Sequence, residues 1–250
     1  MKLPSGAEAV VEKLGALGFE RFRRALAALS LSFFAIVYTF LAVNAPEGWG
    51  PAFAALGACY VVAFFAVVAE WFWGRWFATG IGWSGLMVAI ISLVMIGWMP
   101  VLAVYGALHA LIVLPLAGKS MAARYDLQEG WRKRYRMDDL GVARLRKTIT
   151  RSAASLPSLI LWALGPKEPG QGMLVSLAAL GLLAVGFGGL LRLRTWGWLA
   201  VGAAGLVAAV SAGALGGASF AGHDLAAVLL LAAALPFAAP AVRFLRARSV

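Results

Sequence analysis

Apolar runs of roughly twenty residues, the length needed to cross a bilayer as a helix, recur from one end of this chain to the other, broken by short polar segments. That feature excludes most folds. Inside hydrocarbon every backbone N–H and C=O must be satisfied within the protein, which leaves helices or closed barrels. Barrel strands alternate apolar and polar residues and are about ten residues long. The runs here do not alternate. The sequence therefore predicts an all-α, polytopic integral membrane protein. Composition agrees: 62% of residues are hydrophobic and 13% charged, against about 45–50% and 25% in soluble domains.

Turn residues divide the runs. The first covers 25–44 and is followed by "NAPEGWG"; the second covers 51–73, with proline at its start. The stretch 76–118 would be about 64 Å long as one helix, twice the hydrocarbon thickness. "GWMP" at 97–100 is where it folds back, giving a fourth span at 101–118. Later runs lie at 153–165, 173–191, 196–217 and 225–241. The run 153–165 is short for a crossing, and the charge pattern decides its reading. With eight spans and both termini inside, 21 of the 22 Lys and Arg residues fall inside and only Lys167 falls outside. If 153–165 did not cross, Arg192, Arg194, Arg243, Arg246 and Arg248 would move outside, against the positive-inside rule. Eight transmembrane helices are expected. Trp49, Trp98 and Trp162 near outer ends, and Trp71, Trp73, Trp76, Trp196 and Trp198 at inner ends, fit interfacial aromatic belts.

The chain then reads as five segments: a basic interfacial amphipathic arm (1–24), a first four-helix unit (25–118), a basic cytoplasmic loop (119–151), a second four-helix unit (152–242) and a basic tail (243–250). The arm and first run read as a signal anchor rather than a cleaved signal peptide. Arg exceeds Lys by 16 to 6, and Ala and Gly are abundant. That usage points to a bacterial protein, hence to the inner membrane. The net charge of +11 is explained by orientation. With Cys59 the single cysteine, an internal disulfide is excluded.

Three short matches suggest a tandem repeat. "RFRRAL" at 21–26 resembles "RLRKTI" 123 residues later; "GWSGL" at 82–86 resembles "GAAGL" 120 later; "LPLA" at 114–117 resembles "LPFA" 121 later. Four spans per unit is an even number, so both units would enter from the same side as a parallel 4+4 repeat.

Candidate functional residues are few. His109 sits at the centre of the fourth span, near the bilayer midplane, and should face the bundle, because an imidazole facing lipid would leave a donor and an acceptor unsatisfied. Tyr105, one turn earlier, is a candidate partner. It is either a packing histidine or a working intramembrane group. Glu70, near the inner end of the second span, is expected to pair with Arg75. The loop holds "WRKRYR", with Trp131, Arg132, Lys133, Arg134 and Arg136 suited to anionic lipid or a soluble protein partner. No RNA-binding module surrounds it, so nucleic acid is not expected. Asp138 or Asp139 is placed to cap a following helix. Gly205, Ala209, Gly213 and Gly217, with Ala184 and Gly188 on the preceding span, have the spacing of close helix contacts. His223 and Asp224 read as a cap for the last span. His109 and His223 lie at different depths, so no metal or other cofactor is expected.

No catalytic motif such as HExxH or GxSxG occurs. The first functional reading is a non-enzymatic membrane scaffold or complex subunit. The second is a small-solute transporter with a midplane site at His109 and Glu70. A lipid-active enzyme ranks last.

Overall fold

A computed structural model describes residues 5–135, 137–167, 172–194, 196–214 and 221–248. Throughout them the regular structure is helical: α1 (Ser5–Asn44), α2 (Gly50–Val68), α3 (Gly74–Ile96), α4 (Pro100–Leu116), α5 (Lys119–Asp126), α6 (Glu129–Tyr135), α7 (Asp139–Leu164), α8 (Met173–Leu191), α9 (Gly197–Ala214) and α10 (Ala221–Arg248). Punctuation follows local chemistry. Proline lies in the first turn of α2 and opens α4, where its missing N–H is harmless. Gly97, at φ 98°, ends α3 in a backbone shape that suits glycine.

Among the described residues, four helical stretches are long and apolar enough to cross a membrane: Gly18–Asn44 of α1, α2, α3 and α8. A fifth results if α4 and α5, bent by 72°, count as one span. The apolar parts Gly197–Ser211 and Asp224–Ala238 are shorter. Many large apolar side chains point outward, among them Ile36, Phe40, Val94, Met95 and Val101. A soluble surface rarely carries so much contiguous apolar area; lipid-facing helices do. The protein has the architecture of a helical membrane protein.

Two segments differ from their expected form. The described part of the 1–24 arm is not a separate element, since α1 runs from Ser5 into the first apolar run without a break. The 119–151 loop is mostly helical. Within it the Asp138 side chain accepts from the Gly141 amide at 2.7 Å and caps α7. Val142, Leu145, Ile149 and Ser152 are buried at three- and four-residue spacing. This apolar stripe lay hidden among the cations, and it carries the basic stretch into the 153–164 run as one helix.

Helices pack in two rings. In the first, α1 meets α2 and α4, and α3 meets α2 and α4; in the second, α7 meets α8 and α10, and α9 meets α8 and α10. The rings join along α3 and α7, with α2 also touching α7. Gly80 makes that approach possible: a Cβ there would collide with the Thr150 carbonyl and lie 2.6 Å from the Ala153 Cβ. α7 starts near α5, with Arg146 3.7 Å from Asp126. It ends against the α1–α2 turn, where a Cβ on Gly165 would lie 3.3 Å from the Trp49 ring. It therefore runs from one end of the first ring to the other.

The small-residue pattern needs a correction on α8. Ala184 is exposed and a Cβ at Gly188 would meet open space. Gly186 and Gly189 make the close contact instead, against Gly197. Positions two apart on a helix lie about 200° round it, so a four-residue stripe can mark the outer face as readily as the inner one. On α9, Gly205 does pack tightly, its Cβ position 2.9 Å from the Leu231 amide nitrogen. Ala209 is half-buried and Gly213 lies near the α9 C-terminus, while Gly217 lies outside the described residues. His223 and Asp224 fall inside the first turn of α10 rather than ahead of it.

Replacing Gly80 with valine should force α3 and α7 apart and cost about 1–3 kcal/mol, as overpacking does. Gly181→Ala, at a position with open space around it, should be neutral or slightly stabilising. Thermal melts of both variants in detergent check this; equal melting temperatures would contradict the Gly80 contact.

Candidate functional site

Two groups of described polar residues hold the sequence's candidates: one in the middle of the first ring, one at the end where α5 and α6 lie. His109 forms the first. It projects from α4 and is completely buried. Its Nδ1 lies 2.8 Å from the Tyr105 carbonyl, one turn back, and its Nε2 lies 2.7 Å from the Tyr60 hydroxyl on α2. A neutral imidazole protonated on Nδ1 satisfies both: Nδ1–H donates to the carbonyl and Nε2 accepts from the hydroxyl. Aromatic rings enclose it, with Phe34 at 4.0 Å and Tyr105 at 4.3 Å between centroids. On the α3 side only a glycine fits, since a Cβ at Gly85 would collide with the imidazole. Thus His109 joins α2, α3 and α4 with Phe34 of α1. Tyr105 contributes its backbone carbonyl rather than its hydroxyl. Tyr60 was not visible as a partner, because it is 49 residues away and one apolar-flanked tyrosine among five.

Glu70 is not in that network. It lies just past the end of α2 at φ 54°, and it meets Arg24 of α1 and Arg124 of α5, the latter at 2.9 Å. Its own carbonyl accepts from Gln128 at 2.9 Å. The expected pairing with Arg75 does not form. Five residues of separation suggested proximity, but the left-handed turn at Glu70 and the restart of the helix at Gly74 send the two side chains to different partners. Glu70 and His109 share no partner among their hydrogen bonds and ion pairs.

Arg75 instead meets Asp126, the last residue of α5. The contact is two-pronged, Nη2 to Oδ2 at 2.5 Å and Nε to Oδ1 at 3.2 Å. Trp76 Nε1 donates to the same carboxylate at 2.8 Å. Arg75 is 9% exposed and Asp126 4%, so the pair is held away from water. Beside it Tyr125 donates its hydroxyl to the Val67 carbonyl at 2.7 Å. In the sequence Asp126 lies within the basic 119–151 segment, 51 residues from Arg75. Its signal was slight: an acid at the end of a short amphipathic segment, "KSMAARYD".

The expected docking segment is divided. Trp131 turns inward, 9% exposed, stacked on Phe72 at 4.4 Å and edge-on to Trp76 at 6.4 Å. Arg132 pairs with Asp139, and Lys133 with Glu129 at 2.5 Å. Arg134 lies 5.7 Å over the Tyr135 ring. Arg136 lies outside the described residues. The exposed part of this segment is therefore Lys133, Arg134 and Tyr135, with the tryptophan serving as the anchor that holds α6 to α3. At the opposite end, Lys167 sits 5.4 Å over the Trp162 ring and donates to the Ser176 hydroxyl. Its partial burial lowers its pKa from the usual lysine value.

Replacing Tyr60 with phenylalanine should leave His109 Nε2 without a donor and cost about 1–3 kcal/mol. In a His109→Leu background the same change should cost much less. Melting of the four proteins in detergent gives the coupling; equal costs in both backgrounds would contradict the bond. No family model, curated protein or solved structure matches the chain.

Proposed function

We propose that the protein is a non-enzymatic, multi-pass membrane scaffold or complex subunit with eight transmembrane helices in two parallel four-helix repeats. Its basic end faces the cytoplasm and docks on anionic lipid or on a membrane or cytoplasmic protein partner. A bacterial inner membrane with both termini inside is the setting that the charge pattern favours.

The repeat draws support from register. α2 and α8 start and end 123 residues apart, and α3 and α9 start 123 apart. The turns after α2 and α8 each place a non-glycine residue in the left-handed region, Glu70 and Leu193, also 123 apart. Gly82 and Gly85 of α3 face Val113 and His109 of α4; Gly202 and Gly205 of α9 face Ala234 and Leu230 of α10. Those glycines are offset by 120, and their partners by 121. The eight-helix reading is supported by α7, whose course from the Asp126 region to Trp49 matches the depth of the first ring.

One observation carries the choice of scaffold over transporter. In the repeat register His109 corresponds to Leu230, and both are completely buried against a glycine of the third helix. His109 thus occupies a packing position, with both ring nitrogens already bonded within the protein. Glu70, the other residue of a midplane transport site, is engaged by arginines elsewhere.

One reconstituted preparation tests both parts. With Cys59 replaced, single cysteines at Glu168 should react with an impermeant maleimide from the outside, and those at Arg134 and Thr195 should not. Reaction of Thr195 from the outside would overturn eight spans. In the same nanodiscs diethyl pyrocarbonate should leave His109 unmodified while modifying His223, which the charge pattern places at the outer surface. Modification of both at similar rates would overturn the packing role and favour the transporter.

A further inference from the structure

Where α3 and α7 cross, a cavity of about 310 Å³ opens beside the Arg75–Asp126 pair. Its walls are Arg75, Trp76 and Thr79 from α3, with Arg146, Lys147, Thr150 and Arg151 from α7. The spacing explains the grouping. Residues 75 and 79, and residues 146, 147, 150 and 151, each lie on one helix face at three- and four-residue intervals. Gly80 brings those two faces together just beyond the cavity.

Four of the seven lining residues are cations and none is an acid. Asp126, behind Arg75, is the carboxylate in contact with this set, at 2.5 Å from Arg75 and 3.7 Å from Arg146. Arg151 gives one N–H to the Ala232 carbonyl, which leaves its charge unneutralised. Lys147 is exposed and forms no ion pair among the described residues. The Thr79 hydroxyl is buried and has no hydrogen-bond partner among the described residues. Such a group is costly unless something else completes it. Converging cations with a spare hydroxyl donor suit a tetrahedral oxyanion, whose several oxygens accept from several directions.

We infer that this cavity binds a phosphate group, that of an anionic phospholipid headgroup. Phosphate chemistry follows from the donor set. The lipid source follows from position: the cavity sits where the basic half of α7 passes into its apolar half, at 151–153. That is the depth at which headgroups lie, and basic pockets between membrane helices bind them. The site is separate from the exposed residues of α6, and it stands whether or not the scaffold reading does.

The test uses the full chain purified in mild detergent, with native mass spectrometry and thermal melting as readouts. The probes are phosphatidylglycerol, phosphatidylcholine and inorganic phosphate, each added to the micelles. Arg146→Gln with Lys147→Gln removes two exposed cations of the site and spares the Arg75–Asp126 pair. Arg192→Gln with Arg194→Gln removes the same net charge from the exposed α8–α9 turn. The wild type should retain phosphatidylglycerol in preference to phosphatidylcholine and melt higher with it. The first double variant should bind it about tenfold or more weakly, with only a small drop in its lipid-free melt from losing the Arg146–Asp126 contact. The second double variant should bind as the wild type does. Equal weakening in both doubles, or in neither, would overturn the site. Stabilisation by inorganic phosphate without retention of phosphatidylglycerol would overturn the lipid source and assign the same cavity to free phosphate.

Discussion

The buried pair between Arg75 and Asp126 is the contact on which the basic end of this protein depends. Two unit charges removed from water are expensive, and the cost is offset only when the geometry is good and the remaining acceptors are filled. Both conditions hold here. The guanidinium approaches with two N–H groups, and Trp76 supplies a further donor to the same carboxylate. Asp126 ends α5, so the pair fixes α5 under the first ring. Tyr125, next to it, bonds the end of α2, and Trp131 of α6 packs on Phe72 and Trp76. Arg146 of α7 reaches the same carboxylate from the second ring. One acid therefore gathers both rings and the connecting helices.

The middle of the first ring is organised differently. There, a polar group without a partner has no water to turn to, and each must be matched inside the protein. His109 meets that requirement as a neutral group with a carbonyl and a hydroxyl. Close helix approach needs glycine at Gly85, and the second ring repeats the arrangement with Leu230 against Gly205. A histidine and a leucine occupy similar space in the two rings; the histidine adds two bonds that tie α2 to α4. Polarity at this depth thus reads as a packing device, while exposed charge collects at one end.

Sequence made the helical membrane class legible because hydrocarbon tolerates so few backbone solutions. Boundaries marked by proline and glycine were legible too: α8 spans 173–191 as its apolar run does, and α3 ends at Gly97. The helices of 119–151 were less visible, because their apolar stripe is interleaved with ten Lys and Arg residues. Partnerships were least legible. Arg75 and Asp126 are 51 residues apart in a chain with 22 basic and 11 acidic residues, and only folding selects this pairing among them. Glu70 was assigned to its nearest cation, whereas chain direction at a left-handed turn decides where it points. Trp131 looked like an interfacial aromatic, yet Phe72 and Trp76 offered it a buried stacking site that no local pattern announces.

The most direct test of this account compares Asp126→Asn with the double replacement Arg75→Met, Asp126→Leu. Unfolding is followed in detergent, together with protease cleavage between α5 and α7. Removing one charge leaves the other buried and unmatched, so Asp126→Asn should cost about 3–5 kcal/mol and expose the connecting segment to cleavage. The double replacement leaves no unmatched charge and should recover most of that stability. An Asp126→Asn protein as stable and protease-resistant as the wild type would contradict the central place given to the pair.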